Sequence, residues 1–363
     1  MSNVNSEFWK SKRVYITGHT GFKGSWLSLW LQSMGAIVKG YALTPPTNPS
    51  LFDIAKVADN MTSEIGDIRN LPMLQHSMKE FNPDVLIHMA AQPLVRESYR
   101  EPIETYQTNV MGTVNVLEAA RNCPNLRAII NVTTDKCYEN REWVWGYRED
   151  EPMGGHDPYS SSKGCAELVT SAYRRSFFNS KASVAIASAR AGNVIGGGDW
   201  ADDRLVPDIL RAFEQDRSVI IRNPLSTRPW QHVLEPLSGY LVLAQHLYEF
   251  GQPFAEGWNF GPLEEDAKPV NWILNHMVKN WGQGANWKLD EQNHPHEAGY
   301  LKLDCSKAAS RLDWRPTWHL EKTLKKIVKW YQAWQRDESM HAYCLSEIEQ
   351  FIEDMNRKEN DDR

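Results

Sequence analysis

The chain has 363 residues, enough for one large domain or two fused ones. Apolar residues at 41% and charged residues at 24% are globular proportions, which excludes wholesale disorder. The 40 Lys and Arg against 46 Asp and Glu leave a formal charge of −6, which argues against a protein built mainly to hold nucleic acid. No run approaches the roughly 18 apolar residues of a membrane span, so no membrane partner is expected. Residues 1–13 carry no apolar core of a secretory signal. The five cysteines are scattered and form no Cys-x-x-Cys pair, so reduced thiols and a cytoplasmic location are expected. His294-Pro295-His296-Glu297 has a metal-like composition, but Pro295 argues against a helical His pair, and no metal is expected.

In chain order, Val14-Tyr15-Ile16-Thr17 predicts a short strand that ends at Gly18. Leu27, Trp30, Leu31 and Met34 then form a helical stripe, and Ile37-Val38 resumes a strand. Leu71, Leu74, Met78 and Phe81 predict a second helix. Val85-Leu86-Ile87 is a continuous apolar run, as expected of a strand covered on both faces. A helix is expected over about 102–121, a buried strand at Ala128-Ile129-Ile130-Asn131-Val132, a helix over about 159–178 and a strand at Val184-Ala185-Ile186-Ala187. This rhythm predicts an α/β fold with a Rossmann-like, doubly wound parallel sheet.

Past Gly196-Gly197-Gly198-Asp199 the alternation loosens, although helical stripes persist at Leu237, Tyr240, Leu241 and Ala244, and at Leu320, Leu324, Ile327 and Val328. The expected division is a dinucleotide-binding domain over 1–190 and a smaller, mixed C-terminal substrate domain over 191–363, with segments able to cross over. Residues 353–363 are strongly charged and expected to fray. Ten of the 15 tryptophans lie between Trp200 and Trp334. They are expected to wall a site in part and otherwise to build a small core that lacks a sheet.

Gly18-His19-Thr20-Gly21-Phe22-Lys23-Gly24 follows the first strand directly and opens the first helix. A phosphate needs bare backbone N–H groups at a helix N-terminus, and glycine permits the close approach. Gly18, Thr20, Gly21, Phe22, Lys23 and Gly24 are therefore the expected dinucleotide-binding turn. The usual acidic ribose partner about 20 residues on is missing, since residues 25–52 contain no Asp or Glu. Hydroxyl, amide or backbone groups around residues 41–44 must replace it, which leaves NAD against NADP open on this ground. Asp67 and Ile68 are candidates for the adenine end, with an ordinary loop Asp as the competing reading.

Tyr159-Ser-Ser-Ser-Lys163 places a phenol and an ammonium on one helix face. The ammonium favours the phenolate, which can take a proton from a substrate hydroxyl as hydride leaves its carbon. Thr133-Thr134-Asp135-Lys136 closes the strand that begins at Ala128. In an open α/β sheet that end faces the ligand crevice. The Asp and Lys add an acid–base pair that a plain alcohol dehydrogenase does not need.

Together these residues resemble the extended short-chain dehydrogenase/reductase superfamily over roughly 13–334. The matching features are Thr17-Gly18-x-x-Gly21-x-x-Gly24, His88-Met89-Ala90-Ala91, Asn109, Thr134 and Tyr159-x-x-x-Lys163. Within it the chain looks like a nucleotide-sugar 4,6-dehydratase, whose members carry Thr, Asp and a base at this strand end. Many have Glu third where this chain has Lys136. Tyr41-Ala-Leu and Arg228-Pro-Trp-Gln-His232 extend the resemblance.

The resemblance implies NAD, tightly held and recycled within each turnover, with Ala90, Ala91, Asn109, Tyr159 and Lys163 added to its binding set. It implies CDP-D-glucose as substrate, in deoxysugar synthesis of the O-antigen or lipopolysaccharide type. Tyr159, assisted by Thr134 and Lys163, would deprotonate the 4-hydroxyl; Lys136 would remove the C5 proton and Asp135 would protonate the departing 6-hydroxyl, or the last two roles could be exchanged. Lys136 must then be neutral, against an ordinary value of about 10.4, and Asp135 must be protonated. On the substrate side the resemblance implies Arg228 at the diphosphate and Asn193 at the sugar. Arg204 and Arg222 are further phosphate candidates, and Tyr300 is a candidate for the base. It also implies a homodimer, or a higher homo-oligomer, paired through the helices near 102–121 and 159–178. A 4-epimerase of the same superfamily would need neither Asp135 nor Lys136, and a regulatory or RNA-binding member would often lack the Tyr or Lys.

Overall fold

The computed structural model describes residues 4–179, 184–282, 284–290 and 299–361; residues 294–297, considered above for a metal, lie outside them. Its strands are β1 (Arg13–Thr17), β2 (Ile37–Ala42), β3 (Thr62–Ile65), β4 (Val85–His88), β5 (Ala128–Val132), β6 (Ala185–Ala191), β7 (Asn193–Ile195), β8 (Val219–Ile221), β9 (Thr227–His232), β10 (Gly257–Phe260), β11 (Ala267–Pro269) and β12 (Trp287–Leu289). Seven of them form a parallel sheet in the order β10-β6-β5-β4-β1-β2-β3. Every residue of β4 and of β5 is buried, which is why these segments read as unbroken apolar runs. The order reverses between β1 and β4, and this switch point opens the crevice in which such sheets bind ligands.

The stripes at Leu71, Leu74, Met78 and Phe81 and at Leu320, Leu324 and Ile327 become helices Leu71–Phe81 and Leu320–Gln335. The helix expected over about 102–121 is interrupted by a π-turn, Gln107–Met111, between Pro102–Tyr106 and Gly112–Ala120. Such turns widen the helix locally and are common at functional sites.

Segments do cross over the expected division at residue 190, since β10 pairs with β6 and helix Leu234–Phe250 packs on β5 and β6. Three other expectations about the C-terminal half need correction. The smaller lobe does have sheets: β7, β9 and β11 form one, and β8 with β12 another. Half of the ten late tryptophans also serve a different core. Trp258, Trp314, Trp318 and Trp330 are buried with Trp9, Trp26 and Trp30 in the cluster beneath the main sheet, whereas Trp230 belongs to the smaller core. Gly197 makes this possible, since a Cβ there would lie 2.1 Å from the Trp330 ring. Finally, residues 353–361 do not fray but end helix Met340–Asp361, which packs on helix Phe22–Ser33 with Phe351 edge-on to Trp30 at 5.7 Å. Among the described residues no helix is long and apolar enough to cross a membrane.

Candidate active site

A cleft of about 1830 Å³ lies over the C-terminal ends of the central strands and under the smaller lobe. A pocket for one small ligand is usually about 300–1,000 Å³, so this one has room for two. At the β1 end Gly18 has φ +81°, and a Cβ on it would lie 2.7 Å from the backbone nitrogen of Ala90. A Cβ on Gly24 would lie 2.1 Å from the carbonyl oxygen of Gly18, so only glycine lets helix Phe22–Ser33 begin against the turn. The first-turn N–H groups of a helix lack intrahelical partners and can receive a phosphate. Gly18, Thr20, Gly21, Phe22, Lys23, Gly24, Asp67, Ile68, Ala90 and Ala91 all line the cleft. This wall fits a dinucleotide. Gly24→Ala is expected to weaken NAD binding by more than roughly tenfold, about 1.4 kcal/mol, in a calorimetric titration; unchanged affinity would remove the turn from the site.

The adenine end differs in detail from expectation. Tyr41 is fully buried beneath the cleft, while Thr44, Thr47 and Ser50 reach its wall. The Asp67 carboxylate is bound by Arg69 at 2.6 Å, which holds it below the usual carboxylate range. Burial pushes His88 down to about 3, so it is neutral. It bridges Thr17 (2.6 Å) and Thr113 (3.1 Å), and Thr17 Oγ1 accepts the N–H groups of Met89 and Ala90. His88 therefore shapes the turn after β4 from below.

Two candidate residues do not line the cleft. Asn109, in the π-turn, is 2% exposed. Its Nδ2 donates to the Gln92 carbonyl (3.0 Å) and to Ser162 Oγ (2.8 Å), and its Oδ1 accepts the Gln92 N–H (2.8 Å). It ties the loop after β4 to the helix of Tyr159 rather than facing a cofactor. Tyr300 pairs as an isolated bridge with Thr227, and Lys302 lies over its ring at 5.1 Å. Its neighbour Leu301 takes the place at the wall.

Tyr159 and Lys163 lie on helix Pro158–Ser176, which Asp157 caps by accepting the Ser160 N–H at 2.9 Å, with Pro158 as its first residue. Burial pushes the Tyr159 phenol up to about 12, opposed by a hydrogen bond with Thr134 and by the Arg204 charge. Burial lowers Lys163 to about 8, and its ammonium donates to the Val132 carbonyl at 3.1 Å. Sequence reasoning credited Lys163 and a cationic nicotinamide with lowering Tyr159 and missed the contribution of Arg204. Arg204, expected at a phosphate, lines the cleft, donates to Asp199 Oδ2 at 2.8 Å and lowers the Tyr159 phenol by its charge.

Thr134, Asp135 and Lys136 stand at the end of β5, inside the same cleft. Burial raises the Asp135 carboxyl above its ordinary value, against the opposing pull of Lys136, Thr134 and Arg228. Its Oδ1 accepts from Thr134 Oγ1 at 3.0 Å, while its buried Oδ2 has no hydrogen-bond partner among the described residues. A raised pKa favours the acid form, the form that can donate a proton into the cleft. Lys136 is half-buried at the wall. The chain leaves the main sheet at Gly192, where a Cβ would meet Pro229 at 2.4 Å and Asp135 Oδ2 at 3.2 Å. Asn193, Arg222 and Arg228 continue the cleft into the smaller lobe. Arg96 and Asp203, both unnoticed in the sequence, join across it at 2.6 Å.

A glycine turn at the switch point and a Tyr–Lys helix facing the next strand ends define a dinucleotide-dependent enzyme of the short-chain dehydrogenase/reductase class. The chain belongs to the GDP-mannose 4,6 dehydratase family, whose model matches residues 15–327. It is 63% identical over 353 residues to the CDP-glucose 4,6-dehydratase of Salmonella typhimurium, covering 96% of this chain and 98% of that one. It is 24% identical to the dTDP-glucose 4,6-dehydratase of Haemophilus influenzae, covering 88% and 97%. Two solved structures share the fold over 90% of this chain and 99% of theirs. They are the dTDP-glucose 4,6-dehydratase of Bacillus anthracis with NAD (22% identity, TM-score 0.74) and the UDP-glucose-4-epimerase of Stenotrophomonas maltophila (19%, TM-score 0.77). Dehydratase and epimerase thus share one fold, and the residues of the cleft must separate them.

Proposed function

We propose that this chain is a hydro-lyase that converts CDP-D-glucose to CDP-4-dehydro-6-deoxy-D-glucose and water with NAD as a recycled cofactor. The observation that carries this reading is the presence of Asp135 and Lys136 beside Tyr159 in one cleft. An epimerase needs only the phenol and its ammonium. The 63% identity to a CDP-glucose 4,6-dehydratase supports both the reaction and the CDP group. NAD, which the turn of Gly18, Thr20, Gly21 and Gly24 would hold, would supply the hydride acceptor for oxidation at C4 and the hydride donor for reduction at C6.

The residues of the chain handle the protons. Tyr159 takes the 4-hydroxyl proton, with Thr134 hydrogen-bonded to the phenol. The resulting 4-ketone acidifies C5–H, and Lys136 removes that proton. Asp135, whose acid form burial favours, gives its proton to the departing 6-hydroxyl. Arg222 and Arg228 hold the diphosphate, to which a guanidinium offers paired donors.

The test is incubation with NAD and, separately, CDP-, dTDP-, GDP- and UDP-hexoses, with products read by mass. Loss of water from CDP-glucose with NAD retained is expected. A product of unchanged mass, or preference for another base, overturns the reading.

The same reading places the enzyme in the cytoplasm, in deoxysugar synthesis of the lipopolysaccharide type. All five cysteines are free, as a reducing compartment requires. It also makes the chain a homodimer through the helices around 102–121 and 158–176, where Ile103 (73%), Met111 (52%) and Leu168 (61%) are exposed. Sedimentation of Met111→Glu/Leu168→Glu is expected to give a monomer where the parent chain gives a dimer or larger assembly.

A further inference from the structure

The dehydration asks two elements to act on one sugar. Tyr159 and Lys163 ride on helix Pro158–Ser176, while Asp135 and Lys136 ride on the short turn after β5. What fixes one against the other is a buried ion pair that contacts no reacting group. Glu167 lies one helical turn beyond Lys163, as Lys163 lies one turn beyond Tyr159. Its carboxylate accepts Arg190 Nε and Nη2, each at 2.9 Å, and both side chains are 5% exposed. Ser188 Oγ donates to it at 2.6 Å, and Thr133 Oγ1 donates to its other oxygen. Arg190 Nη1 donates to the Tyr138 hydroxyl at 2.7 Å, which in turn donates to Asn259 Oδ1 on β10 at 2.7 Å.

Thr133 and Tyr138 bracket the segment that carries Asp135 and Lys136. Both ends of that segment are therefore bound to one ion pair, whose carboxylate belongs to the catalytic helix. Stability alone does not account for the arrangement, because a buried ion pair is often no more stabilising than apolar residues of the same volume.

We infer that Glu167 and Arg190 are positioning residues that hold the C5 base and the C6 acid in register with Tyr159, so that elimination follows C4 oxidation without delay. The inference rests on the dehydratase reading. C4 oxidation takes its base and its ammonium from the helix and only the Thr134 hydrogen bond from the turn, whereas elimination takes both its acid and its base from the turn, so a small shift of the turn falls hardest on elimination. A misplacement of about 1 Å can cost roughly 10²-fold in the step it affects.

Thr133→Val and Tyr138→Phe each cut one tether and keep the ion pair; Glu167→Gln cuts the centre. With CDP-glucose and NAD in single turnover, nicotinamide reduction is expected at near the parent rate in Thr133→Val and Tyr138→Phe, whereas Glu167→Gln also removes the charge that favours the Lys163 ammonium and is expected to shift the pH dependence of reduction. Reoxidation is expected to slow by roughly 10- to 100-fold, with deuterium uptake from solvent at C5 slowed in proportion. The KM for CDP-glucose is expected to stay unchanged, and melting temperature monitors plain loss of fold. If all three variants slow reduction and reoxidation together, or change neither, the positioning role is overturned while the dehydratase reading stands. A parent enzyme that oxidises C4 and releases no water overturns both.

Discussion

Lys136→Ala is expected to oxidise its substrate at C4 and to stop there. The residue is half-buried at the cleft wall, one position after a carboxyl whose acid form burial favours. Once C4 is a ketone, the C5 proton is acidic enough for an amine to remove. Loss of a positioned general base typically costs about 10²- to 10⁴-fold, or roughly 2.7–5.5 kcal/mol in the barrier to that step. C4 oxidation depends instead on Tyr159, so it survives. In a stopped-flow trace the absorbance of reduced nicotinamide should rise as in the parent enzyme and fail to decay. Parent-like decay with unslowed C5 exchange would sink the role.

Asp135→Asn separates the acid from the base. The amide keeps the size and the hydrogen bond to Thr134 but has no proton to give, so C5 exchange should continue while water loss slows. If C5 exchange stops instead, the two residues have exchanged roles. The pH sign follows from the raised pKa of Asp135. Its acid form persists to higher pH than an ordinary carboxyl's, and water loss should decline as pH climbs through that raised value.

Tyr159→Phe is expected to lose C4 oxidation itself, by about 10²- to 10⁴-fold, while binding of NAD and of CDP-glucose is retained. The phenol lies at about 12 before any ligand charge acts on it, because burial penalises the phenolate more than Thr134 and Arg204 favour it. Since the phenolate is the base, C4 oxidation should rise with pH. Lys163→Met should move that rise to higher pH, because the ammonium no longer favours the phenolate in the ligand-bound cleft. A rise at unchanged pH in Lys163→Met would confine that lysine to holding the cofactor.

Much of this site was legible in the chain itself. Gly18 and Gly24 sit where a Cβ would collide with backbone, and Tyr159 and Lys163 share a face by helical spacing alone. Helix Leu71–Phe81 and strand β4 matched their apolar patterns because periodicity records which sides of an element meet the core. Asn109 was read as a cofactor ligand, but its direction depends on a π-turn that has no local signature. Arg204 was read as a phosphate ligand, but its partner is decided by where Asp199 folds back.

The amino-acid order thus determined the elements, the dinucleotide turn and the chemical groups, since each of these is a local matter of spacing, burial pattern and side-chain type. Tertiary structure decided how they meet. It returned β10 to the edge of a sheet begun more than two hundred residues earlier, gathered half of the late tryptophans under that sheet, and joined β5 to the catalytic helix through Glu167 and Arg190. Those contacts link residues far apart in the chain, and their energy exists only once the intervening segments have packed, so no local pattern announces them.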